Sequence, residues 1–296
     1  MEEPVFTCNI CGASNACRVE ELQRENSSCS SCGSNVRTRG ILHVLSMELF
    51  GVSMTLPEFP RVRSLRGIGT SDDGQYANRL MEKFDYRNTF YHRQPRFDLT
   101  NPAEEEFGQY DFVISSEVLE HVPPPAEAAM QTLFRLLKPT GVLVLTVPYS
   151  VEATTAEHFP DLHQYGIAQV AGHTVLVNRT RDGRVQVFEN LVFHGGWNGP
   201  ALEMREFTET GVKAVLDAAG FSQVHIYGED YRPFGIVNAV SWSLPIAARK
   251  ERFGFSFDAT RDVLEEWRDL KRKFNGEMKR LDRNFWFRLG RKIGFL

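Results

Sequence analysis

Four cysteines near the start of the chain have the spacing of a metal site. They form two Cys-x-x-Cys pairs, Cys8 with Cys11 and Cys29 with Cys32, with seventeen residues between the pairs. Two such pairs aim four thiolates at one ion, which is the ligand set of structural zinc and leaves no coordination position open for chemistry. The alternative is a pair of disulfides. The chain starts without a signal-peptide pattern and has only one further cysteine, Cys17, so we expect a reducing, cytoplasmic environment and a structural Zn²⁺.

The residues after the cysteines predict a helix and a linker. Apolar residues recur at helical spacing from Ile41 to Phe50 without a proline, and Gly51 follows as a stop signal. Pro57 and Pro60 then indicate a linker. We therefore assign residues 1–36 to a zinc-ribbon module and residues 37–60 to a helix and linker.

The middle of the chain predicts two parallel strands joined by a helix. Phe112–Ile114 is a buried-strand run that ends in the small polar segment Ser115–Glu117. An amphipathic stretch, Ala126–Leu137, precedes a second apolar run, Val142–Val147. Strand, helix and strand in this order imply a right-handed crossover in a parallel sheet. Ligands bind such sheets at the carboxyl ends of the strands, where Ser115–Glu117 would lie.

Two stretches of this region carry a family resemblance. Tyr-Asp-Phe-Val-Ile-Ser-Ser-Glu-Val-Leu-Glu-His-Val, from Tyr110, and Leu-Leu-Lys-Pro-Thr-Gly-Val-Leu-Val-Leu-Thr-Val-Pro, from Leu136, closely resemble class I S-adenosylmethionine-dependent methyltransferases of the type 11-like group. The resemblance runs over residues 61–230. It implies an α/β, Rossmann-like fold with a doubly wound, mostly parallel sheet of seven strands and S-adenosylmethionine across the carboxyl edge. We assign residues 61–244 to this domain.

The resemblance also locates a cofactor loop. Gly67, Gly69 and Thr70 stand where the family has its Gly-rich loop, and glycines there let the backbone approach a ligand without a Cβ in the way. The match departs from the family pattern at two positions. Leu65 replaces the usual acidic residue, and Ser71 replaces the third glycine.

Further cofactor residues follow from the resemblance. At the expected second strand, residues 88–92, Tyr91 or His92 stands where a carboxylate usually binds the ribose. At the expected third-strand end, Asp98 would accept a hydrogen bond from the adenine amino group and Leu99 would pack on the ring; the alternative for Asp98 is a loop cap. The same resemblance assigns to the cofactor edge Ser115, Ser116, Glu117 and His121.

The segment after the apolar run Val142–Val147 predicts the acceptor side of the site. Asp182-Gly183 between two β-rich runs predicts a hairpin insertion near residues 173–194. Thr208 and Gly220 predict the start and end of a helix, and residues 222–227 a late sheet strand.

Histidines in this part of the chain are candidates for proton transfer. Methyl transfer to a hydroxyl benefits from a general base that titrates near neutral pH. We take His194, which precedes two glycines and is followed by Glu203, and His163 as candidate bases. The alternative for each is a structural histidine in a turn or core. His158, His163 and Glu157 also allow a metal site, although their spacing is not diagnostic.

The last part of the chain is basic and amphipathic. From Arg249 to Leu296 there are fourteen basic and eight acidic residues. Apolar residues recur at steps of three and four, with a break expected near Asn275-Gly276. We assign residues 245–296 to a helical tail that packs on the domain or forms a homodimer. Aromatic and basic residues after position 280 also suit peripheral contact with an anionic membrane.

The charge balance bears on the substrate. The chain has 34 basic and 38 acidic residues, a net charge of −4, which argues against nucleic acid as the partner. The resemblance implies methyl transfer, and from it we expect the acceptor to be an oxygen of a sugar, glycan precursor or other small molecule. The alternative is a binding or regulatory module on a methyltransferase scaffold that no longer catalyses, because Leu65, Ser71 and the missing ribose carboxylate depart from the family pattern.

Overall fold

The N-terminal part contains a small hairpin and a long helix. The computed structural model describes residues 5–196, 199–251 and 257–283. The first elements are β1 (Val5–Thr7), β2 (Ser14–Ala16) and α1 (Val36–Phe50). Helix α1 begins earlier than the apolar spacing predicts because the Asn35 side chain accepts a hydrogen bond from the Thr38 N–H at 2.8 Å. It ends where predicted, at Gly51, whose φ of 69° is in the left-handed region.

The next elements build most of the central sheet. In chain order they are β3 (Arg66–Thr70), α2 (Gly74–Lys83), β4 (Asp85–Thr89), β5 (Tyr110–Ser116), α3 (Ala126–Leu136) and β6 (Leu137–Thr146). Strands β3, β4, β5 and β6 pair in parallel, so their carboxyl ends lie along one edge. The predicted strand–helix–strand unit is therefore present.

An insertion of eight short strands follows β6. They are β7 (Tyr149–Ser150), β8 (Ala156–Glu157), β9 (Gln164–Val170), β10 (His173–Arg179), β11 (Val185–Phe188), β12 (Phe193–Gly196), β13 (Gly199–Leu202) and β14 (Arg205–Thr208). Strands β9, β10 and β11 form an antiparallel sheet, which contains the predicted hairpin and its Asp182-Gly183 turn. Strand β14 pairs with both β7 and β8.

The domain closes with α4 (Glu209–Ala219), β15 (Gln223–Ile226) and β16 (Ile246–Arg249). The Thr208 hydroxyl accepts from the Gly211 N–H at 3.1 Å, and Gly220 ends the helix with a φ of 101°, as the sequence predicts. Strand β16 lies beyond the predicted domain boundary at residue 244. Its apolar run is too short for a periodicity argument to identify.

The central sheet has the order β15-β16-β6-β5-β3-β4, with β16 and β15 antiparallel. Within the described residues it therefore has six strands and not the predicted seven. The third strand, expected to end at residues 97–99, is absent from the described residues, and the one bridge nearby joins Phe90 and Arg96. Pro95, next to this bridge, has no N–H to donate to a ladder. The predicted second strand also lies three residues earlier, at Asp85–Thr89.

Both faces of the sheet are covered. Ile68, Val113 and Leu143 face a core formed with α3 and α4. On the opposite face, Phe112 stacks on Tyr86 with 5.7 Å between ring centroids and contacts Phe84 edge-on at 5.5 Å. Strand residues that alternate between two buried faces are expected for a parallel sheet between helix layers.

Among the described residues, a second compact unit contains residues 46–53 and 257–283. Its main element is α5 (Phe257–Arg283), which continues through the predicted break at Asn275-Gly276. On α5, Leu270 and Phe274 are exposed. The aromatic and basic end proposed for membrane contact lies mostly outside the described residues. Among the described helices, none combines the length and apolar character needed to cross a bilayer.

Candidate functional site

The four predicted cysteines converge. Their sulfur atoms all lie within 4.8 Å of one another, with 3.6 Å from Cys8 to Cys32 and from Cys11 to Cys29. With zinc–sulfur bonds of about 2.3 Å, tetrahedral geometry separates the sulfurs by about 3.8 Å. All four thiols are free of disulfides. The geometry and the soft thiolate ligands therefore fit one tetrahedral ion.

Two glycines shape the turns that carry these cysteines. Gly12 follows Cys11 with a φ of 81°, and Gly33 follows Cys32 with a φ of 73°. The N–H of each glycine donates to the carbonyl of the first cysteine of its pair at 2.8 Å. Because L side chains rarely adopt this backbone, glycine is the residue that the turn requires.

A buried arginine connects the four-cysteine module to the rest of the domain. Arg39 has no exposed surface. Its guanidinium donates to the Ser34 carbonyl at 3.0 Å, to the Ser28 hydroxyl at 2.9 Å and to the Gly235 carbonyl at 2.9 Å. The cysteine turns, α1 and the segment after β15 therefore share one hydrogen-bond network.

Two further arginines of this region reach the carboxyl end of β5. Arg24, in the loop between the cysteine pairs, binds both carboxylate oxygens of Glu117 at 2.7 and 3.0 Å. Arg37, in the first turn of α1, donates to the Ser116 hydroxyl at 2.7 Å. The predicted cofactor residue Glu117 is thus held by the four-cysteine module, and Ser116 is held by helix α1.

Glu25 links the same two arginines on their outer side. Its carboxylate accepts from the Arg37 Nε and Nη2 atoms at 2.9 Å and also pairs with Arg24. Burial opposes ionisation of Glu117, but hydrogen bonds from Arg24 and the charges of Arg24 and Arg37 outweigh it and keep the pKa of Glu117 below its usual value. Sequence reasoning missed Arg24, Glu25 and Arg37, because their proximity to β5 depends on how the module docks.

The turn after β3 keeps the backbone of a Gly-rich loop without its glycine. Ser71 has a φ of 63°, the left-handed conformation that the missing third glycine would adopt at less cost. The turn is held by Asn88, which accepts from the Asp72 N–H at 2.9 Å and donates to the Asp72 carbonyl at 2.8 Å. Burial raises the pKa of the Asp72 carboxyl to about 7, although the Tyr86 and Tyr76 hydroxyls donate to it.

The predicted loop glycines belong to strand β3 instead. A Cβ on Gly67 would come within 2.1 Å of the Phe112 ring, and one on Gly69 within 2.0 Å of both the Asp72 carboxylate and the Tyr86 hydroxyl. Packing inside the domain therefore requires both glycines, which lie in β3 before the turn; their role toward a cofactor stays a prediction. Thr70 is the last residue of β3 and is buried.

Unpartnered polar atoms mark the carboxyl end of β5. Among the described residues, the fully buried Ser115 hydroxyl and one carboxylate oxygen of Glu120 have no hydrogen-bond partner. Burial and the nearby charge of Glu117 raise the pKa of Glu120 well above its usual value, which favours its neutral form. Buried polar groups are normally satisfied, so this edge fits a polar ligand such as a nucleoside cofactor.

The predicted adenine residues lie near the insertion. Asp98 caps its own turn, since one carboxylate oxygen accepts from the Thr100 N–H at 2.9 Å and hydroxyl at 2.7 Å, while Leu99 is buried. Burial raises the pKa of Tyr165, and the nearby charges of Tyr91 and Asp98 add to this.

A second polar cluster lies beyond the end of β5. Glu203 bridges two histidines, with 2.9 Å from one oxygen to His158 Nε2 and 2.7 Å from the other to His194 Nε2. The His194 ring contacts His121 edge-on at 5.6 Å, and His121 Nδ1 is 3.0 Å from the Leu202 carbonyl. This arrangement places the candidate base His194 beside the candidate cofactor residue His121.

The cluster is fixed to β5 by the neighbouring residues of the insertion. The Met204 N–H donates to the Glu120 carbonyl at 2.7 Å. The fully buried Arg205 donates to the carbonyls of Leu119 and Val122 at 2.6 and 2.7 Å and pairs with Glu157 at 2.5 Å. Glu157 is thereby engaged as an ion-pair partner.

The other candidate base, His163, lies elsewhere. Its side chain is exposed, and its N–H donates to the Asn178 side chain at 2.9 Å. Over the described ranges, no ion pair or ring contact joins it to the cluster of Glu203. The metal site considered for His158, His163 and Glu157 does not form. Among the described residues, the four cysteines are the only cluster of side chains that could hold a metal ion.

A comparison with known proteins identifies the domain. A family model described as a methyltransferase domain matches residues 60–226, which is more than half of the chain. No curated protein matches the chain.

Solved structures give weaker likenesses. DesVI from Streptomyces venezuelae is 15% identical over 65% of this chain and 87% of its own, with a TM-score of 0.36. The 1,6-didemethyltoxoflavin-N1-methyltransferase from Burkholderia thailandensis is 17% identical over 73% of this chain and 78% of its own, with a TM-score of 0.38. A sugar N-methyltransferase from Streptoalloteichus is 13% identical over 75% of this chain and 89% of its own, with a TM-score of 0.41. Scores of this size add nothing to the family match.

Proposed function

This chain belongs to the methyltransferase-domain family, and we propose that it transfers a methyl group from S-adenosylmethionine to an oxygen of a small acceptor such as a sugar or glycan precursor. The observation that carries the proposal is the polar carboxyl edge of β5, where the buried Ser115 hydroxyl has no partner within the described residues. A bound ligand at this edge would satisfy that group.

The chain's own residues would hold the cofactor at this edge. S-adenosylmethionine, when bound, supplies a methyl group on a positively charged sulfur. Ser115, Ser116 and Glu117 present hydroxyl and carboxylate oxygens there, and Arg24 and Arg37 fix the orientation of the last two. Asp98 keeps one carboxylate oxygen that its own turn does not use, which can accept from an amino group.

His194 is the proposed base. When its Nε2–H donates to Glu203, Nδ1 keeps the lone pair that accepts a proton from an acceptor hydroxyl. The negative charge of Glu203 stabilises the positive charge that His194 gains when it accepts this proton. Glu203 also contacts His158 through its other oxygen. Zn²⁺ bound to the four cysteines has no open position in this proposal and acts by keeping the module folded.

Calorimetric titration with S-adenosylhomocysteine, the demethylated product, tests the cofactor assignment. We expect one site per chain, weakened at least about tenfold by Ser115→Ala, which removes the hydroxyl and adds no atoms at this fully buried position. Absence of binding to the wild-type protein would favour the non-catalytic alternative and overturn the proposal.

A comparison of two variants tests the base. We expect His194→Ala to lower the methylation rate about 100-fold while leaving S-adenosylhomocysteine affinity unchanged, because a general base contributes about 10²–10⁴-fold. His163→Ala should leave the rate close to that of the wild type. Equal rates for the two variants, measured with a responsive acceptor, would remove His194 from the mechanism.

A further inference from the structure

A cleft separate from the unpartnered Ser115 lies between α1 and the segment 227–245. It is open to solvent and has a cavity volume of about 50 Å³. One wall is formed by Val36, His43 and Val44, and the other includes Tyr227 and Trp242. Small-molecule sites are typically concave and mostly apolar with a few polar groups that orient the ligand.

The walls of this cleft are apolar and aromatic. The His43 ring stacks on Tyr231 with 4.7 Å between centroids and contacts Tyr227 edge-on at 5.9 Å. Burial lowers the pKa of His43 to about 4, so its ring is neutral at physiological pH. Trp242 has 41% of its surface exposed at this cleft. These walls suit an apolar or ring-shaped body.

The positively charged end of the cleft lies beside the proposed cofactor edge. Arg24 and Arg37 both line the cleft and both contact the carboxyl end of β5 through Glu117 and Ser116. A ligand that fills the cleft and reaches these guanidinium groups therefore ends next to the edge where the methyl donor would bind.

The carboxylate of Glu25 occupies the space between Arg24 and Arg37 in this structure. Its carboxylate forms a two-point contact with Arg37 and a further contact with Arg24, yet 51% of its side chain is exposed. Arg24 retains Glu117 as a second partner, and Arg37 retains Ser116. An exposed carboxylate between two largely buried arginines is readily exchanged for another planar or tetrahedral anion, which arginine binds with paired hydrogen bonds.

We propose that this cleft binds the methyl acceptor, and that the acceptor is an amphiphilic anion. Its carboxylate or phosphate takes the place of Glu25 between Arg24 and Arg37, and its apolar body lies against Val36 and Trp242. Calling the ligand an acceptor rests on the proposed function, whereas the binding itself does not.

Binding of two naphthalene dyes to the zinc-loaded full-length protein tests the proposal. The probes are 1-anilinonaphthalene-8-sulfonate, which is anionic, and N-phenyl-1-naphthylamine, which has the same rings without the charge. We expect Arg37→Gln to lower the affinity for the anionic dye at least about tenfold and the affinity for the neutral dye less than about twofold. Only the anionic dye loses a hydrogen-bonded charge pair in this variant. Trp242→Ala should weaken both dyes.

Arg18→Gln is the matched control, because Arg18 lies in the same module and pairs with Glu21 at the surface, away from the cleft lining. Equal effects of Arg37→Gln and Arg18→Gln would overturn the proposal. Glu25→Gln removes the carboxylate that the ligand's anion would replace, and the variant should fold because Glu25 is exposed. The affinity for the anionic dye should rise about threefold or more, and an unchanged affinity would also overturn the proposal.

Competition distinguishes the ligand sources. Displacement of the anionic dye by phenylacetate indicates a carboxylate acceptor, displacement by phenyl phosphate a phosphorylated one, and displacement by neither contradicts the proposal. Competitive displacement by S-adenosylhomocysteine would assign the arginines to the cofactor and overturn it. Expected dye behaviour in a protein that binds no S-adenosylhomocysteine would retain the cleft as an anion site and reject the proposed function alone.

Discussion

The four-cysteine centre and the carboxyl edge of the central sheet are assembled in opposite ways. All four ligands of the centre lie within 25 residues, and two turns of the same kind present them. The sheet edge instead combines Arg24 and Arg37 from the module with Ser116 and Glu117 from β5. The histidine cluster beside it adds His194 and Glu203 from the insertion. The centre is therefore a local structure, while the edge depends on docking between distant segments.

This difference makes the edge depend on the centre. Arg24 lies in the loop between the cysteine pairs, and its carbonyl accepts from the Arg37 N–H at 3.1 Å. Arg39 binds the second cysteine turn through Ser28 and Ser34. Loss of the ion would release the loop that carries Arg24, whereas loss of a residue at the edge would leave the cysteine turns intact.

Removing the metal should have the largest effect. A structural zinc ion contributes about 10 kcal/mol or more to folding of a small module. We expect the double variant Cys8→Ser, Cys11→Ser to lose zinc, measured by elemental analysis, and to bind S-adenosylhomocysteine at least about tenfold more weakly. Cys17→Ser is the control, because Cys17 is not one of the four converging thiols. Full cofactor affinity in the zinc-free variant would show that the two regions are independent.

Breaking one ion pair at the edge should have a smaller effect. Arg24→Gln leaves Glu117 without its two-point partner, and the side chains of the pair are only 25% and 22% exposed. We expect the free energy of unfolding to fall by about 2–3 kcal/mol in urea denaturation, below the about 3–5 kcal/mol of a fully buried pair. Arg18→Gln removes a pair with 69% and 46% exposure and should cost less than about 1 kcal/mol. Zinc content should stay unchanged in both.

The pH dependence of stability should report on Asp72 at the edge. The folded pKa of Asp72, about 7, lies above the unfolded value, so the folded state binds this proton more tightly and stability is lost as pH rises through 7. From about pH 5.5 to about pH 8 the contribution of Asp72 to the free energy of unfolding should fall by about 2 kcal/mol, while His43, whose folded pKa of about 4 lies below its unfolded value, contributes in the opposite direction. Asp72→Asn, which cannot titrate, should flatten this part of the profile; an identical slope in the variant would assign the dependence to another group.

The smallest effect should come from a turn that belongs to neither region. Gly183 has a φ of 89°, and a Cβ added at this position would have nothing within 4 Å. Gly183→Ala should therefore cost about 1 kcal/mol through backbone strain without any clash. Thermal unfolding measures this. S-adenosylhomocysteine affinity should not change, and a weakened affinity would show that the hairpin contributes to the edge.

Much of the fold could be predicted because its signals are local. Thr208 and Gly220 mark the ends of α4, Asp182-Gly183 marks the β10–β11 turn, and the apolar runs around Val113 and Val144 mark two central strands. The prediction of a third strand at residues 97–99 was wrong, because pairing of an edge segment depends on its neighbour and on Pro95.

The site was harder to predict. Ser116 and Glu117 were predicted from their place at the carboxyl end of β5 and His121 from the family resemblance, and Glu203 was noted only as a neighbour of His194 in the chain. Gly67 and Gly69 were assigned to a ligand loop, and the structure places both in β3, where a Cβ would meet Phe112 or Asp72. These close approaches depend on the packed fold and are not encoded in the spacing of the two glycines.

The sequence by itself determined the four cysteines that converge, the β5–α3–β6 unit and the ends of α4, because each depends on patterns within a short stretch of the chain. Only the tertiary structure decided that Arg24 and Arg37 meet β5 and that Glu203 bridges His158 and His194. Those contacts join residues that are 45 to 93 positions apart, except for the nearby His194 and Glu203. Which of many such charged pairs forms is set by how the packed elements dock.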